Sequence, residues 1–308
     1  RSKEFYLQHG AKMIHDTFPE YESRIAVGMV GEGSDCFGFD DEISADHDYA
    51  PGFCMWLTDA DYRAIGKELQ QEYDKLIKSE GRLEYRRGVF SVNMFYNGVL
   101  ETSCNYEDGV SVDFENIKEY LLATATNGDV FRDDLGVFSK IRKQLLGYYP
   151  ENVWRRKFAQ CIHEFSQYAQ SNYSRMMARK DAVTAMICVA KGVESALDLV
   201  YLLEKTYAPY YKWKKKGLET SILAKQIFPI LDNIAENSAT QNSENEESGV
   251  LVLGEDNAEE GEVRQAKRYM PRFTEASENY RMADDTRPRE VTDAVRTASP
   301  VAPASKKG

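Results

Sequence analysis

The chain has 308 residues, a formal net charge of −11 and a pI of about 5.1. This acidic balance argues against broad nucleic-acid binding, which requires a basic face, and so against a long nucleic acid as partner. No apolar run approaches about 18 residues, no signal-peptide pattern is present, and the five scattered cysteines form no Cys-x-x-Cys pair. We therefore predict a cytoplasmic protein without a membrane partner.

The N-terminal part of the chain predicts a helix followed by a strand and a tight turn. Apolar residues recur at helical spacing over residues 2–18, and Pro19 ends this pattern. An apolar run over residues 25–30 is typical of a buried strand, and the glycine-rich turn at residues 31–34 follows it. A second apolar run, residues 53–57, predicts the next strand, and a helical pattern over residues 61–78 comes after it.

Two aspartates stand between the two predicted strands. Asp46 and Asp48 are separated by His47, so on a strand they would project from the same face. Carboxylate oxygens are the ligands that Mg²⁺ prefers, so this pair predicts a binding site for metal and a nucleoside triphosphate. In the preceding turn, Gly33 permits close approach of the backbone, and Ser34 offers a hydroxyl and an N–H to phosphate. The plain alternative is a solvated acidic loop.

A third carboxylate is expected on a later strand. Asp113 stands in the alternating run 110–114, and we choose it over Glu84 and Glu101 in other strand-like runs. Between residues 83 and 104 the sequence predicts strands joined by a hairpin at Asn97-Gly98, and then a short helix over residues 115–123. The alternation predicts an α+β fold, with a small mixed sheet carrying helices on one face.

The spacing of these motifs resembles a known superfamily. Gly33-Ser34 is followed by eleven positions and then by Asp46-His47-Asp48, a pattern similar to that of the DNA polymerase β-like nucleotidyltransferases. The resemblance implies two Mg²⁺ ions held by Asp46, Asp48 and Asp113. Many members have a basic residue directly after Gly-Ser, but here Asp35 follows, so the positive charge for a triphosphate must come from elsewhere. The nearest basic candidates are Arg24, Arg86 and Arg87.

A closer resemblance covers about residues 1–235. The stretch 31–48 resembles an uncharacterised bacterial family of nucleotidyltransferase-like proteins, whose helical C-terminal region is akin to that of aminoglycoside nucleotidyltransferases. Together with the change of pattern at residues 126–129, this implies a nucleotidyltransferase-like domain over 1–128 and an antiparallel helical bundle over 129–234. Residues 235–308 are polar or rich in Pro, Ala and Ser, which predicts a disordered tail.

The predicted bundle supplies further binding candidates. A long periodic helix over residues 175–206 carries Lys191, which could reach phosphate, and Glu194 and Asp198, which could accept a proton from a hydroxyl. The segment after it, residues 207–216, mixes aromatic and basic residues, and the resembling family has a similar Tyr-x-Pro-Tyr-x-Lys-Trp stretch. Tyr210 could stack on a base, and Lys212 could meet phosphate. A basic loop with aromatic anchors is the plain alternative.

These observations predict a Mg²⁺-dependent nucleotidyltransferase that binds ATP or another nucleoside triphosphate. It would move a nucleoside monophosphate from a nucleoside triphosphate to a hydroxyl acceptor, with loss of pyrophosphate. A small and possibly cationic acceptor suits the acidic chain, and an aminoglycoside-like compound is one conceivable case. Two alternatives stay open, namely an antitoxin-like enzyme that modifies a protein hydroxyl and a non-catalytic nucleotide-binding module.

Overall fold

A small mixed sheet forms the centre of the N-terminal part. The computed structural model describes residues 1–41, 52–78, 86–109 and 112–246, with side chains described up to residue 237. The strands are β1 (Ala26–Met29), β2 (Cys54–Leu57), β3 (Gly88–Ser91) and β4 (Asp129–Arg132). Their order is β3-β2-β1-β4, with β1 antiparallel to both β2 and β4 and β2 parallel to β3. The α+β class is thus confirmed.

Helices account for most of the remaining described chain. They are α1 (Ser2–Phe5), α2 (Ala11–Thr17), α3 (Ser34–Phe37), α4 (Asp59–Lys78), α5 (Val92–Leu100), α6 (Glu119–Thr126), α7 (Val137–Leu146), α8 (Glu151–Phe165), α9 (Tyr173–Ala178), α10 (Ala182–Glu204), α11 (Lys214–Gly217) and α12 (Ile222–Glu246). Short π-helical segments, Tyr6–Gly10 and Ser166–Asn172, join α1 to α2 and α8 to α9. Within the described ranges, no helix combines the length and apolarity needed to cross a membrane.

The sheet is covered by helices on both faces, so the predicted one-sided packing is wrong. Ala26 and Trp56 belong to a core that includes residues of α5, α6 and α7, whereas Val27 and Met55 belong to a core with the N-terminal helices and α4. Successive residues of a strand point to opposite faces, and all four positions in both β1 and β2 are buried. Trp56 stacks on Phe138 of α7 with 3.8 Å between ring centroids.

The structure of the middle of the chain differs from the predicted strands and turn. The predicted hairpin at Asn97-Gly98 lies inside helix α5, where the Ser91 hydroxyl caps the first turn by accepting from the Met94 N–H at 3.1 Å. The predicted domain boundary at residue 128 falls inside the sheet unit, because β4 follows it and pairs with β1. The predicted strand over residues 83–87 falls mostly outside the described residues.

The helical region is built around α10. It packs against α8, the π-helical segment after α8, and α9, and the Trp154 indole N–H donates to the Leu202 carbonyl at 2.8 Å. The predicted single helix over residues 175–206 is two helices, because the chain breaks before Asp181, whose carboxylate caps α10 at Thr184. Helix α12 continues to Glu246, so regular structure extends past residue 234, where the tail was predicted to begin. Residues 247–308 lie outside the described part.

Candidate functional site

The Gly-Ser turn directly follows strand β1. Gly31 and Gly33 have φ values of +121° and +115°, which only glycine adopts without strain, and α3 begins at Ser34. A Cβ on Gly33 would lie 2.3 Å from a carboxylate oxygen of Asp35. Both glycines are therefore required by the local conformation, and the Asp35 and Arg87 side chains pack against the backbone at Gly33.

Asn127, just before β4, holds the turn at the end of the neighbouring strand β1. Its side-chain carbonyl accepts from the Gly31 N–H at 2.9 Å, and its side-chain amide donates to the Gly31 carbonyl at 2.7 Å. The Arg142 guanidinium on α7 donates to the carbonyls of Asn127 at 2.7 Å and Gly128 at 3.0 Å. The sequence analysis missed this arrangement because it interpreted Asn127-Gly128 as a domain boundary. No local signal identifies Arg142.

Arg87 lies beside the Gly-Ser turn and pairs with the aspartate that follows Ser34. Its guanidinium donates to both oxygens of Asp35, at 2.8 and 2.9 Å, and to the Glu32 carbonyl at 3.1 Å. The Arg87 side chain is only 9% exposed, so this contact is an internal ion pair. The neighbouring Arg86 lies 3.5 Å from the Glu32 carboxylate, and Arg24 pairs with Asp61 on α4. Each of the three predicted basic candidates thus has an acidic partner.

Of the three predicted metal ligands, the structure describes only Asp113. Asp46 and Asp48 lie outside the described residues. The strand predicted around Asp113 is wrong over its described part, because Asp113 is exposed and lies at the start of a turn. Its carboxylate accepts from the Asn116 side chain at 2.7 Å and from the Glu115 N–H at 3.2 Å, and these bonds lower its pKa. Among described residues, no group of three His, Cys, Asp or Glu side chains could hold a metal.

The candidates on α10 contact other parts of the helical region. Lys191 is exposed and lies over the Tyr168 ring at 5.6 Å. Glu194 and Asp198 both accept from the Lys214 ammonium, at 2.9 and 2.8 Å. These two predicted proton acceptors are therefore paired with one lysine.

The aromatic and basic segment after α10 meets the chain that leaves the Gly-Ser turn. Phe39 packs against Trp213 with ring centroids 5.5 Å apart, and Phe37 stacks on Phe39 at the same separation. Lys212 is exposed over the Trp213 ring at 5.2 Å, and Tyr210 is half exposed against Tyr120. The structure therefore brings together two stretches that the sequence analysis singled out separately.

A cavity of about 300 Å³ lies between the Gly-Ser turn and the end of α10. Its lining includes Cys36 and Phe37 of α3, residues 126–128, Tyr148, and residues 205–207. Cys36 is buried, as predicted, and burial raises the pKa of its thiol, so it lines the cavity as a neutral group. Residues of both the sheet unit and the helical region thus line the cavity.

A buried glutamate contacts the segment that follows α10. Glu119 on α6 accepts from the Ala208 N–H at 3.1 Å, and burial raises the pKa of its carboxyl to about 7, with the Asp198 charge adding to the shift. The hydroxyls of Tyr148 and Tyr149 are buried without a described hydrogen-bond partner. The sequence analysis gave Glu119 no role, because a single glutamate at the start of a helix is ordinary.

Glu119 makes stability depend on pH. Its folded pKa of about 7 lies above the usual 4.5, so its contribution is fully present below pH 4.5 and is lost as pH rises through about 7. We expect Glu119→Gln to reduce this loss by on the order of 2 kcal/mol. Burial also raises the pKa of Asp198, so the stability of Glu119→Gln should still fall somewhat as the pH rises. Urea unfolding at about pH 5 and about pH 8 measures the difference.

The matched control is Glu68→Gln, which makes the same chemical change at an exposed position of α4. The free energy of unfolding of this variant should depend on pH as steeply as that of the parent protein. Identical slopes for Glu119→Gln and Glu68→Gln would contradict the role given to Glu119.

One part of this region matches a known family model. Residues 114–214 match a family model described as a domain of unknown function, DUF4037. The DUF4037 match covers about a third of the chain, including Asn127, Arg142 and the cavity residues from α6 to Tyr207, and it ends at Lys214. It does not include the Gly-Ser turn. No curated protein and no solved structure gives a significant match to the chain.

Proposed function

We propose that the protein is a Mg²⁺-dependent nucleotidyltransferase that moves a nucleoside monophosphate from a nucleoside triphosphate to a hydroxyl acceptor. The observation that carries the proposal is the Gly-Ser turn after β1, where α3 begins at Ser34 and a buried guanidinium lies beside the turn. Because β2 is antiparallel to β1, the chain enters β2 at the end of the sheet where β1 leaves into this turn. The segment with Asp46 and Asp48 therefore connects two neighbouring points of the sheet.

In this proposal the residues of the turn bind phosphate. Gly33 lets a phosphate oxygen approach the backbone, and Ser34 donates a hydroxyl and an N–H. Arg87 keeps the Asp35 carboxylate neutralised, so that this carboxylate does not repel the triphosphate. Asp46 and Asp48 have the oxygen ligands that suit Mg²⁺, and the bound metal would neutralise charge on the reacting phosphates. Asp113 is left out, because its carboxylate is engaged in an exposed turn.

The acceptor hydroxyl would attack the α-phosphate, and pyrophosphate would leave. The cavity beside α3 supports this arrangement, since it offers a small molecule a place next to the Gly-Ser turn. The chain's net charge of −11 again disfavours a long nucleic acid as acceptor. A small-molecule acceptor is therefore preferred to a protein hydroxyl.

The test is release of pyrophosphate from each common nucleoside triphosphate, with Mg²⁺ and a panel of small hydroxyl compounds. We expect Asp48→Asn to reduce the rate of pyrophosphate release by more than about 100-fold, because it removes a charged ligand from the proposed metal site. Asp113→Asn, the same change at an exposed aspartate, should leave the rate unchanged. A thermal-shift assay checks binding, since triphosphate with Mg²⁺ should raise the Tm more than triphosphate alone.

A different result would favour the non-catalytic alternative. If no triphosphate releases pyrophosphate and nucleotide raises the Tm equally with and without Mg²⁺, the proposed function is wrong and a binding module is the better description.

A further inference from the structure

We propose that the cavity between the Gly-Ser turn and the end of α10 binds a small ring-bearing molecule that carries an anionic group. Its volume of about 300 Å³ is at the lower end of the range for ligand pockets, so it suits one ring system with a substituent. Under the proposed function, on which this part rests, that molecule would be the hydroxyl acceptor.

The wall of the cavity is aromatic. The rings of Tyr148 and Tyr207 are 4.9 Å apart at an interplanar angle of 35°. The Tyr207 hydroxyl donates to the Leu145 carbonyl at 2.7 Å, which fixes its ring, and the Tyr148 side chain is held in a buried position. Phe37 also belongs to the lining, so the cavity offers aromatic surface that suits a flat apolar body.

Two residues of the lining have an unusual backbone conformation. Tyr148 has a φ of +68° and Lys205 a φ of +53°, and both lie just after a helix ends. Glycine adopts this conformation at no steric cost, so keeping a long side chain there is unfavourable for folding. Such residues cluster at binding sites, where the side chain is needed for its contacts. Both side chains line the same cavity.

The charge of the lining points to the sign of the ligand. Among the described lining residues there is no carboxylate, and Lys205 provides the positive charge. Its ammonium lies 4.0 Å from the Glu151 carboxylate and over the Trp154 ring at 5.2 Å, and both charged side chains are more than half exposed. An exposed pair at this distance is weak, so Lys205 can turn to an anion at little cost. A polycation such as an aminoglycoside would meet a cation here.

The test uses three probes without nucleotide or metal, namely phenyl phosphate, phenol and kanamycin, with ligand-observed NMR on the full chain. We expect phenyl phosphate to bind at least about fivefold more tightly than phenol, because a charge-assisted hydrogen bond is stronger than a neutral one. Kanamycin should not displace it. Displacement of phenyl phosphate by kanamycin, or equal affinity for phenol and phenyl phosphate, would overturn the proposal.

A matched pair of variants locates the site. Lys205→Gly should weaken phenyl phosphate binding to the level of phenol, and its fold is safe because glycine accepts the positive φ. Lys180→Gly is the control, since Lys180 also follows a helix with a positive φ of 59° but does not line the cavity. Equal affinities for the two variants would refute the role of Lys205. If the probes bind as expected but no triphosphate is turned over, only the proposed nucleotidyl transfer fails.

Discussion

Gly128→Ala should destabilise the protein by about 4 kcal/mol or more, among the largest effects of a single methyl group. Gly128 has a φ of +64°, and a Cβ there would lie 1.8 Å from the Met29 carbonyl oxygen and 3.3 Å from the Cys36 carbonyl oxygen. These contacts are with backbone at the end of β1 and in α3, so no side chain can move aside. The expected measurement is a large fall in the midpoint of urea unfolding, or loss of folded protein.

Gly136→Ala is the matched control for this substitution. Gly136 has a similar φ of +71°, but an added Cβ meets nothing within 4 Å. Only the backbone conformation then opposes the change, at a cost of about 1 kcal/mol. If the two variants lose equal stability, the close approach at Gly128 does not constrain the turn as the structure indicates.

Arg87→Met should destabilise the protein by about 2–3 kcal/mol, because it leaves the Asp35 carboxylate without its internal partner. The Asp35 side chain is 29% exposed, so water can partly replace the guanidinium, and this keeps the cost below that of a fully buried pair. A double-mutant cycle with Asp35→Asn should give a coupling energy of about 1–3 kcal/mol. Methionine retains the apolar stem, so the cycle reports mainly on charge.

The comparison pair for this cycle is Lys118 and Glu101. Their charged atoms lie 3.1 Å apart, but both side chains are more than half exposed. An exposed pair contributes less than about 1 kcal/mol, so its coupling energy should be clearly smaller. Equal coupling in the two cycles would mean that Arg87 does not support the Gly-Ser turn in the way proposed.

The sequence predicted the elements whose apolar spacing is long and regular. The strand before the Gly-Ser turn, the helix now seen as α4 and most of α10 are present because their buried residues recur at the strand or helix period. Helix α5 was mistaken for two strands because Asn97-Gly98 is a typical hairpin signal. The Asn97 side chain instead bonds to the backbone of Cys104, and Ser91 with its apolar residues at helical spacing could have indicated the helix.

The site was predictable only where its residues are neighbours in the chain. Gly33 and Ser34 form the expected turn, but the partners of that turn come from distant positions. Asn127 is separated from Gly31 by 96 residues, and Arg87 from Asp35 by 52. Strand β4 was missed because its four residues alternate weakly and are only partly buried or exposed. Without the register of β4 on β1, nothing local places Asn127 beside the turn.

The contact between Phe39 and Trp213 bears on the entropy of the acidic segment that follows. Phe39 is held by the helical region shortly before residue 42, and Phe53 is buried in the sheet core shortly after residue 51. The chain that carries Asp46 and Asp48 therefore has both of its ends fixed. Closing a chain segment costs entropy that grows with the logarithm of its length, and a segment with anchored ends has already lost that freedom. If Asp46 and Asp48 bind a cation as proposed, the fixed ends of this segment lower the entropy that binding costs, and the contact between Phe39 and Trp213 contributes to the affinity.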